Sequence, residues 1–220
     1  MSSVINKLKN FTKNKKELSW EGTLEDYIKL LKKNKTPHMK AHERVLNMIE
    51  SHGEESGQDG TVYNFFNDDL YGIDESIEKI MEYLRAAASG SEVSRRILLM
   101  YGPTSSGKSQ LAILLKRGLE DFTKTKEGAV YALSESPMNE DPLCAIPRSM
   151  RDDLSKYLGV DIQGELSPYM AMVLEDKYGG NFMELPVKRI LFDERSRLGI
   201  GTFVPSDKKS QDISELVGSL

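Results

Sequence analysis

Cysteine is almost missing from this chain, histidine nearly so, and no apolar run is long. The single Cys144 among 220 residues cannot close an internal disulfide or build a cysteine-rich zinc site. Structural staples of both kinds are excluded, and a reducing compartment, the cytoplasm, is the expected setting. The longest uninterrupted apolar runs, 97–101 and 111–115, fall far short of the roughly 20 residues needed to cross a bilayer, so no membrane partner is expected. Lys7, Lys9, Lys13, Lys15 and Lys16 have no apolar stretch behind them, and the N-terminus thus lacks the central region of a secretory signal. Of three histidines, His38 and His42 stand four apart, a spacing that can grip a metal on a helix. HMKAH lacks the neighbouring glutamate of a metalloprotease helix, however, and only His52 remains to add a ligand, so packing or surface roles are expected.

What is present suffices for one medium domain or one and a half: 39% hydrophobic residues plus 17 glycines can build a core, which excludes global disorder. The net charge of −4 is unevenly spread, because residues 1–50 hold 11 Lys+Arg against 6 Asp+Glu, or +5, leaving −9 for the rest. The lysines are spaced by Asn, Thr and apolar residues instead of forming a dense block, which fits solvated helix faces better than a nucleic-acid surface.

Thr23 followed by Asp26 has the form of an N-cap with its acidic third residue, and Leu24, Tyr27, Ile28 and Leu31 recur at helical spacing to about Lys33. Pro37 allows a second start, with Val45, Leu46 and Ile49 as the apolar face, before the Gly-, Glu- and Ser-rich stretch 51–60 predicts a loop or linker. Ile77, Ile80, Met81 and Leu84 predict a further helix that ends at Gly90.

Residues 95–101, RRILLMY, form a short apolar run of the kind found in buried parallel strands. Directly behind it come Gly102, Pro103, Thr104, Ser105, Ser106, Gly107, Lys108 and Ser109, and then Gln110 opens an amphipathic helix to about Phe122 with Leu111, Leu114, Leu115 and Leu119 on one face. Strand, phosphate loop and helix in that order are a nucleotide-binding signature. Consecutive backbone N–H groups must curl around a β-phosphate, and glycines at the loop ends permit the tight path. Lys108 is expected to reach the β- and γ-phosphates of ATP as a point charge and is the catalytic candidate. Ser109 would offer its hydroxyl to Mg²⁺, and the helix N-terminus adds partial positive charge. The bare pattern should arise by chance in about one chain of this length in a hundred, and its flanking elements lower that figure.

Small-molecule kinases and GTPases usually begin near their phosphate loop, whereas about 100 residues precede this one. A helix entry with glycine 30 residues ahead of Gly102 resembles the layout of AAA+ ATPases, so Tyr71, Gly72 and Ile73 are candidates for the base pocket. LSWEGTLEDYIKLLKKN, AHERVLNMI, DDLYGIDESIEKIMEYL, ILLMYGPTSSGKSQLAILLKRGLE, YALSESPMNEDPLCAIP and GIGTFVPSDKKSQDISELVGS resemble the N-terminal part of the PrkA family over nearly the whole chain. Its members are bacterial proteins described as serine protein kinases with an AAA+ core. The resemblance implies ATP binding at 102–109, a homo-oligomer, a cytoplasmic setting, a role in stress or sporulation signalling, and continuation for several hundred residues beyond this N-terminal part.

Asp193 and Glu194 end a strand-like segment about 85 residues after Lys108, the form of a Walker B element in which Asp holds Mg²⁺ and Glu orients water. The resemblance places the family's Walker B-like segment after SQDISELVG, so both acids stay outside the expected site. Gly199 and Gly201 predict a turn, Arg195 and Arg197 ordinary exposed charge, and Cys144 a packed thiol.

The expected architecture is an α/β P-loop NTPase, AAA+-like, with a three-layer parallel sheet using strands near 95–101, 129–133 and 188–193. A helical segment, 1–60, precedes a nucleotide-binding domain, 61–220, expected to be truncated at its C-terminus. The function expected is that of the Mg·ATP-binding part of a serine protein kinase. A regulatory or assembly switch driven by ATP and a small-molecule phosphotransferase stay open beside it, as does a protein substrate.

Overall fold

Thr23 and Asp26 act as their spacing predicts. The Thr23 hydroxyl accepts from the Asp26 N–H at 3.3 Å while the Thr23 N–H donates to the Asp26 carboxylate at 3.1 Å, closing a capping box at the start of helix α1, Leu24–Lys33. That cap follows strand β1, Glu21–Thr23. Pro37 starts only a single 3₁₀ turn, Thr36–His38, and helix α2, Ala41–Glu50, begins after it. The computed structural model describes residues 18–57, 60–67 and 69–204; the N-terminal lysines and the SQDISELVG segment lie outside them.

The stretch expected as a loop at 51–60 is partly paired: β2, Glu54–Gly57, forms an antiparallel ribbon with β3, Gly60–Tyr63, in the register Glu55↔Val62. Its own residues are poor strand formers, and the pairing is supplied by Thr61, Val62 and Tyr63, a partner half that the local composition of 51–60 cannot reveal. Helix α3, Asp74–Ala88, ends through Ser89 into Gly90 at φ +77°, the left-handed position that glycine occupies without steric cost. Helix α4 is Lys108–Phe122 and strand β4 is Val130–Leu133. Helices α5, Arg148–Leu158, and α6, Pro168–Tyr178, precede strand β5, Pro186–Ile190.

Among the described residues the larger sheet is three-stranded, β1–β5–β4, and antiparallel throughout. Two of the three strands expected from sequence, near 129–133 and 188–193, are thus real neighbours, but they run in opposite directions. The third does not join them. Residues 97–101 are an extended segment with no strand beside it, and Ile97, Leu99 and Tyr101 are 92%, 82% and 97% exposed. Apolar composition marks a segment fit for burial, yet none of the described strands pairs with these residues, and only a cavity shared with α3 lies beside them.

Side chains gather in two clusters. One joins Leu24, Tyr27 and Leu31 of α1 to Leu133, Leu143, Leu158, Met170 and Val187, with Trp20 edge-on to Tyr131 at 5.0 Å. The other joins Met48, Ile49 and Phe66 to Ile77, Met81 and Leu84 of α3 and to Leu111 and Phe122 of α4. Arg44 links them: buried, it donates to the carbonyls of Gly128 at 2.9 Å and Pro37 at 3.1 Å, with further contacts to Ala129 and Met39. Desolvation pulls its pKa down to about 10, which still leaves it charged at neutral pH, and backbone oxygens take the place of water around that charge.

Candidate functional site: a phosphate loop at the head of α4

Gly107 occupies the N-cap of α4 at φ +81°, and Ser105 is also left-handed at φ +63°. Two left-handed residues so close together curl the backbone into a concave turn of the kind that collects N–H groups. No side chain caps α4, so the donors of its first turn face the loop without a competing carboxylate. A side chain at Gly107 would be strained at that φ, although its Cβ would meet Leu70 Cδ2 at 3.5 Å and Ile73 Cδ1 at 3.8 Å in ordinary contact.

Lys108 folds back over the loop it follows. Its Nζ donates to the Gly102 carbonyl at 2.9 Å, the Pro103 carbonyl at 2.5 Å and the Ser106 hydroxyl at 2.8 Å. All three acceptors belong to the loop itself, so the ammonium is held over the hollow that 102–108 encloses. Ser109 is exposed on the first turn of α4, and Gln110 donates to Asp69 Oδ1 at 3.3 Å, tying the helix start to the segment before α3. Thr104 and Ser105 lie exposed at the tip of the loop.

A cavity of about 450 Å³ opens beside the loop, with Ile73, Ser76 and Ile80 of the α3 side on one wall and Leu98 and Met100 on another, and Gly102, Ser106, Gly107, Lys108 and Leu111 closing it. Of the base-pocket candidates only Ile73 lines this cavity; Tyr71 is 79% exposed, and Gly72 sits at φ +71° with open space around it. The entry turn therefore orients α3 more than it forms a wall. Sequence reasoning missed Ser76, Ile80, Leu98 and Met100. The helical spacing Ile73, Ser76, Ile80 was visible, but which face of α3 meets the loop is a tertiary fact.

The acids of the Walker B-like segment are placed elsewhere. Asp193 caps its own turn, accepting from the N–H groups of Arg195 at 3.3 Å and Ser196 at 3.1 Å, and these bonds, with Ser196 first, hold its carboxyl below the usual range. Glu194 accepts from Lys116 Nζ at 2.5 Å and from the Thr202 hydroxyl at 2.5 Å, and Lys116 holds its pKa down in turn. Lys116 lies eight residues after Lys108 on α4, about 12 Å along the axis, so this ion pair brackets the far part of the helix. Asp193 pairs with Leu198 in an isolated antiparallel bridge whose turn passes through left-handed Arg197 at φ +56°.

His38 and His42 do not share a helix, since the first closes the 3₁₀ turn and the second lies in α2. No cluster of three or more metal-ligating side chains occurs among the described residues. Cys144 is half-buried, and burial pushes its thiol up to about 11, which keeps it protonated and unreactive at neutral pH. No helix among the described residues is long and apolar enough to cross a membrane.

A glycine-ended loop with its lysine folded over the concave side, opening a 15-residue helix, has the form of a phosphate loop, which several nucleotide-binding classes share, and comparison with known proteins puts this chain in the AAA class. The chain belongs to the PrkA AAA domain family, which matches residues 22–220. It is 46% identical over 218 residues to a Bacillus subtilis protein named ATP-dependent protease PrkA, covering 99% of this chain and 34% of that relative. It is 28% identical to the Escherichia coli K12 serine/threonine kinase YeaG over 91% of this chain and 33% of the relative. A short uncharacterized protein of Geobacillus stearothermophilus is 35% identical over 95 residues. The chain thus spans about a third of the length of the longer relatives. No solved structure matches it.

Proposed function

We propose that residues 102–109 bind Mg·ATP and that this chain is the nucleotide-binding part of an ATP-driven enzyme. The observation that carries the reading is the loop itself: left-handed Ser105 and Gly107, the uncapped start of α4, and the Lys108 ammonium held over the hollow between them. These residues suit a triphosphate, because the site offers backbone donors and two lysines, Lys108 over the loop and Lys79 of α3, the latter paired with Glu75, and places no carboxylate among the residues lining its cavity. On binding, Lys108 exchanges its three loop acceptors for phosphate oxygens, which are stronger partners because they are charged. Ser109, exposed on the first turn of α4, would offer its hydroxyl to Mg²⁺, and the bound ion would neutralise charge on the phosphates. Ile73, Ile80, Leu98 and Met100 give the base an apolar wall.

The three-layer sheet belongs to the same proposal. Residues 97–101 hold the phosphate loop from one side, and the reading has strands from the rest of the protein pair with them, with 61–220 as the nucleotide-binding part and 1–60 packed against it. Serine phosphorylation is the finer reading, supported by the printed name of the Escherichia coli relative; the Bacillus subtilis relative is named an ATP-dependent protease, which supports dependence on ATP but not a kinase, and an ATPase switch is the alternative reading.

Calorimetry of Mg·ATP with this chain and with Lys108→Ala tests the site. A charge-assisted hydrogen bond is worth about 1.5–3 kcal/mol, so the substitution should weaken affinity by about tenfold to a hundredfold. Equal affinities would overturn the assignment. Following labelled γ-phosphate in the longer protein then separates the activities: label on serine supports the kinase, and label released only as free phosphate supports the switch.

A further inference from the structure

Away from the phosphate loop, an apolar groove of about 470 Å³ lies on the outer side of the first core cluster. Ile28 of α1, Ile146, Met150 and Leu154 on the α5 side, and Phe182 and Met183 of the 3₁₀ turn Phe182–Glu184 line it, so three separate elements meet there. Tyr157 lines it too and is held in place, because Lys32 Nζ donates to its carbonyl oxygen at 2.9 Å and sits 3.7 Å over its ring. The floor is packed, with Ile146 buried, but Met150 and Tyr157 are exposed and no described residue covers them. An apolar cavity of about 150 Å³ accepts a benzene ring, so the groove has room for about three side chains of that size.

The segment ahead of β1 fits this groove in pattern, reach and charge. Met1, Val4, Ile5, Leu8 and Phe11 recur at i, i+3, i+4, i+7 and i+10, a spacing that on a helix gathers them into one apolar stripe, with Ser, Asn and Lys on the opposite side. The stripe precedes the family's domain, which begins at residue 22. Thr23 stands opposite Pro186, two residues past the 3₁₀ turn, and Leu18 lies five residues further back, at most about 17 Å away. The seven residues 11–17 can span about 23 Å when extended, enough to carry the chain back from Leu18. Lys7 and Lys9 border the stripe, and Asp153 at the groove has no ion pair among the described residues.

We propose that residues 1–11 dock in this groove as an amphipathic helix, with Leu8 and Phe11 as anchors and a bordering lysine beside Asp153. Docked there, the segment straps α1, α5 and the turn before β5 together over the first cluster. The phosphate loop, which opens onto the second cluster, is left free for its ligand.

Methionine-methyl NMR on the 220-residue chain tests this, with Met150→Leu and Met183→Leu assigning two signals among the ten methionines. Leu8→Asp should shift both signals and leave those of Met48 and Met81, buried in the second cluster, in place. Asn10→Asp, on the polar side of the stripe, should shift neither. A second readout is disulfide closure with oxidised glutathione: Leu8→Cys paired with Met150→Cys should close at least tenfold faster than Asn10→Cys paired with Met150→Cys. Cys144, whose thiol burial pushes up to about 11, does not compete. The docking is overturned if Leu8→Asp leaves both signals unmoved, which would leave the groove to residues of the longer protein, or if the two cysteine pairs close equally fast. Met150 and Met183 shifts that vary with protein concentration would overturn it as well, by placing a second copy of the chain in the groove.

Discussion

At the scale of single residues, spacing and surroundings disagree most about Glu194. Spacing places it where a water-orienting acid belongs, but its Oε1 is engaged by Lys116 and Thr202 together, and a carboxylate so committed is a poor candidate to position water. Glu194→Gln is expected to leave Mg·ATP affinity unchanged in this chain and phosphate release unchanged in the longer protein. A loss of about a hundredfold or more in release, the ordinary worth of a general base, would restore it to the chemistry. Lys108 was legible as the residue that ends a glycine-bounded loop and opens a helix, because that loop is a local device whose parts are all contiguous. Its three loop acceptors were not, since carbonyls carry no signature in sequence.

At the scale of elements, the legible parts are those determined within a few residues. The capping box of α1 closes on Thr23 and Asp26, and α3 ends at Gly90 as its glycine implies. Elements that depend on a distant partner were not legible: the β2–β3 ribbon draws its pairing from residues beyond the polar stretch, and β4 and β5 gave no sign of running antiparallel. The junction between α4 and β4 is a case where sequence shows only a glycine. A Cβ at Gly128 would stand 2.0 Å from the Phe122 carbonyl oxygen and 2.5 Å from its carbonyl carbon, both backbone atoms that cannot step aside, and the Gly128 carbonyl also receives Arg44. Gly128→Ala should therefore shift α4 against β4 and disturb the Arg44 contacts that join the clusters. Overpacking costs about 1–3 kcal/mol, and this case should reach the upper end. Urea unfolding measures it, and a loss below about 0.5 kcal/mol, the range of neutral surface changes, would mean that the turn relaxes freely.

For the molecule as a whole, residues 97–101 are the place where local and global demands separate. Exposure alternates along the run, with Leu98 at 39% and Met100 at 37% against 92%, 82% and 97% for Ile97, Leu99 and Tyr101. Such a period of two is what a strand presents to two different faces. The chain holds this strand ready from both ends, through the Tyr83 hydroxyl on the Arg96 carbonyl at 2.7 Å and through the phosphate loop at Gly102. Two consequences can be separated by one substitution, Leu99→Lys. In this chain Leu99 is 82% exposed, so the change should move the unfolding free energy by no more than about 0.5 kcal/mol. In a protein of the relatives' length, where the proposed sheet buries the run, the same change should cost about 1.5–3 kcal/mol, the worth of a fully buried leucine, and weaken Mg·ATP binding with it because the strand positions Gly102. A large cost in the short chain would show that Leu99 is already packed. Indifference in the long protein would show that the run is not part of its core, and the parallel sheet would have to be given up while the phosphate loop stood.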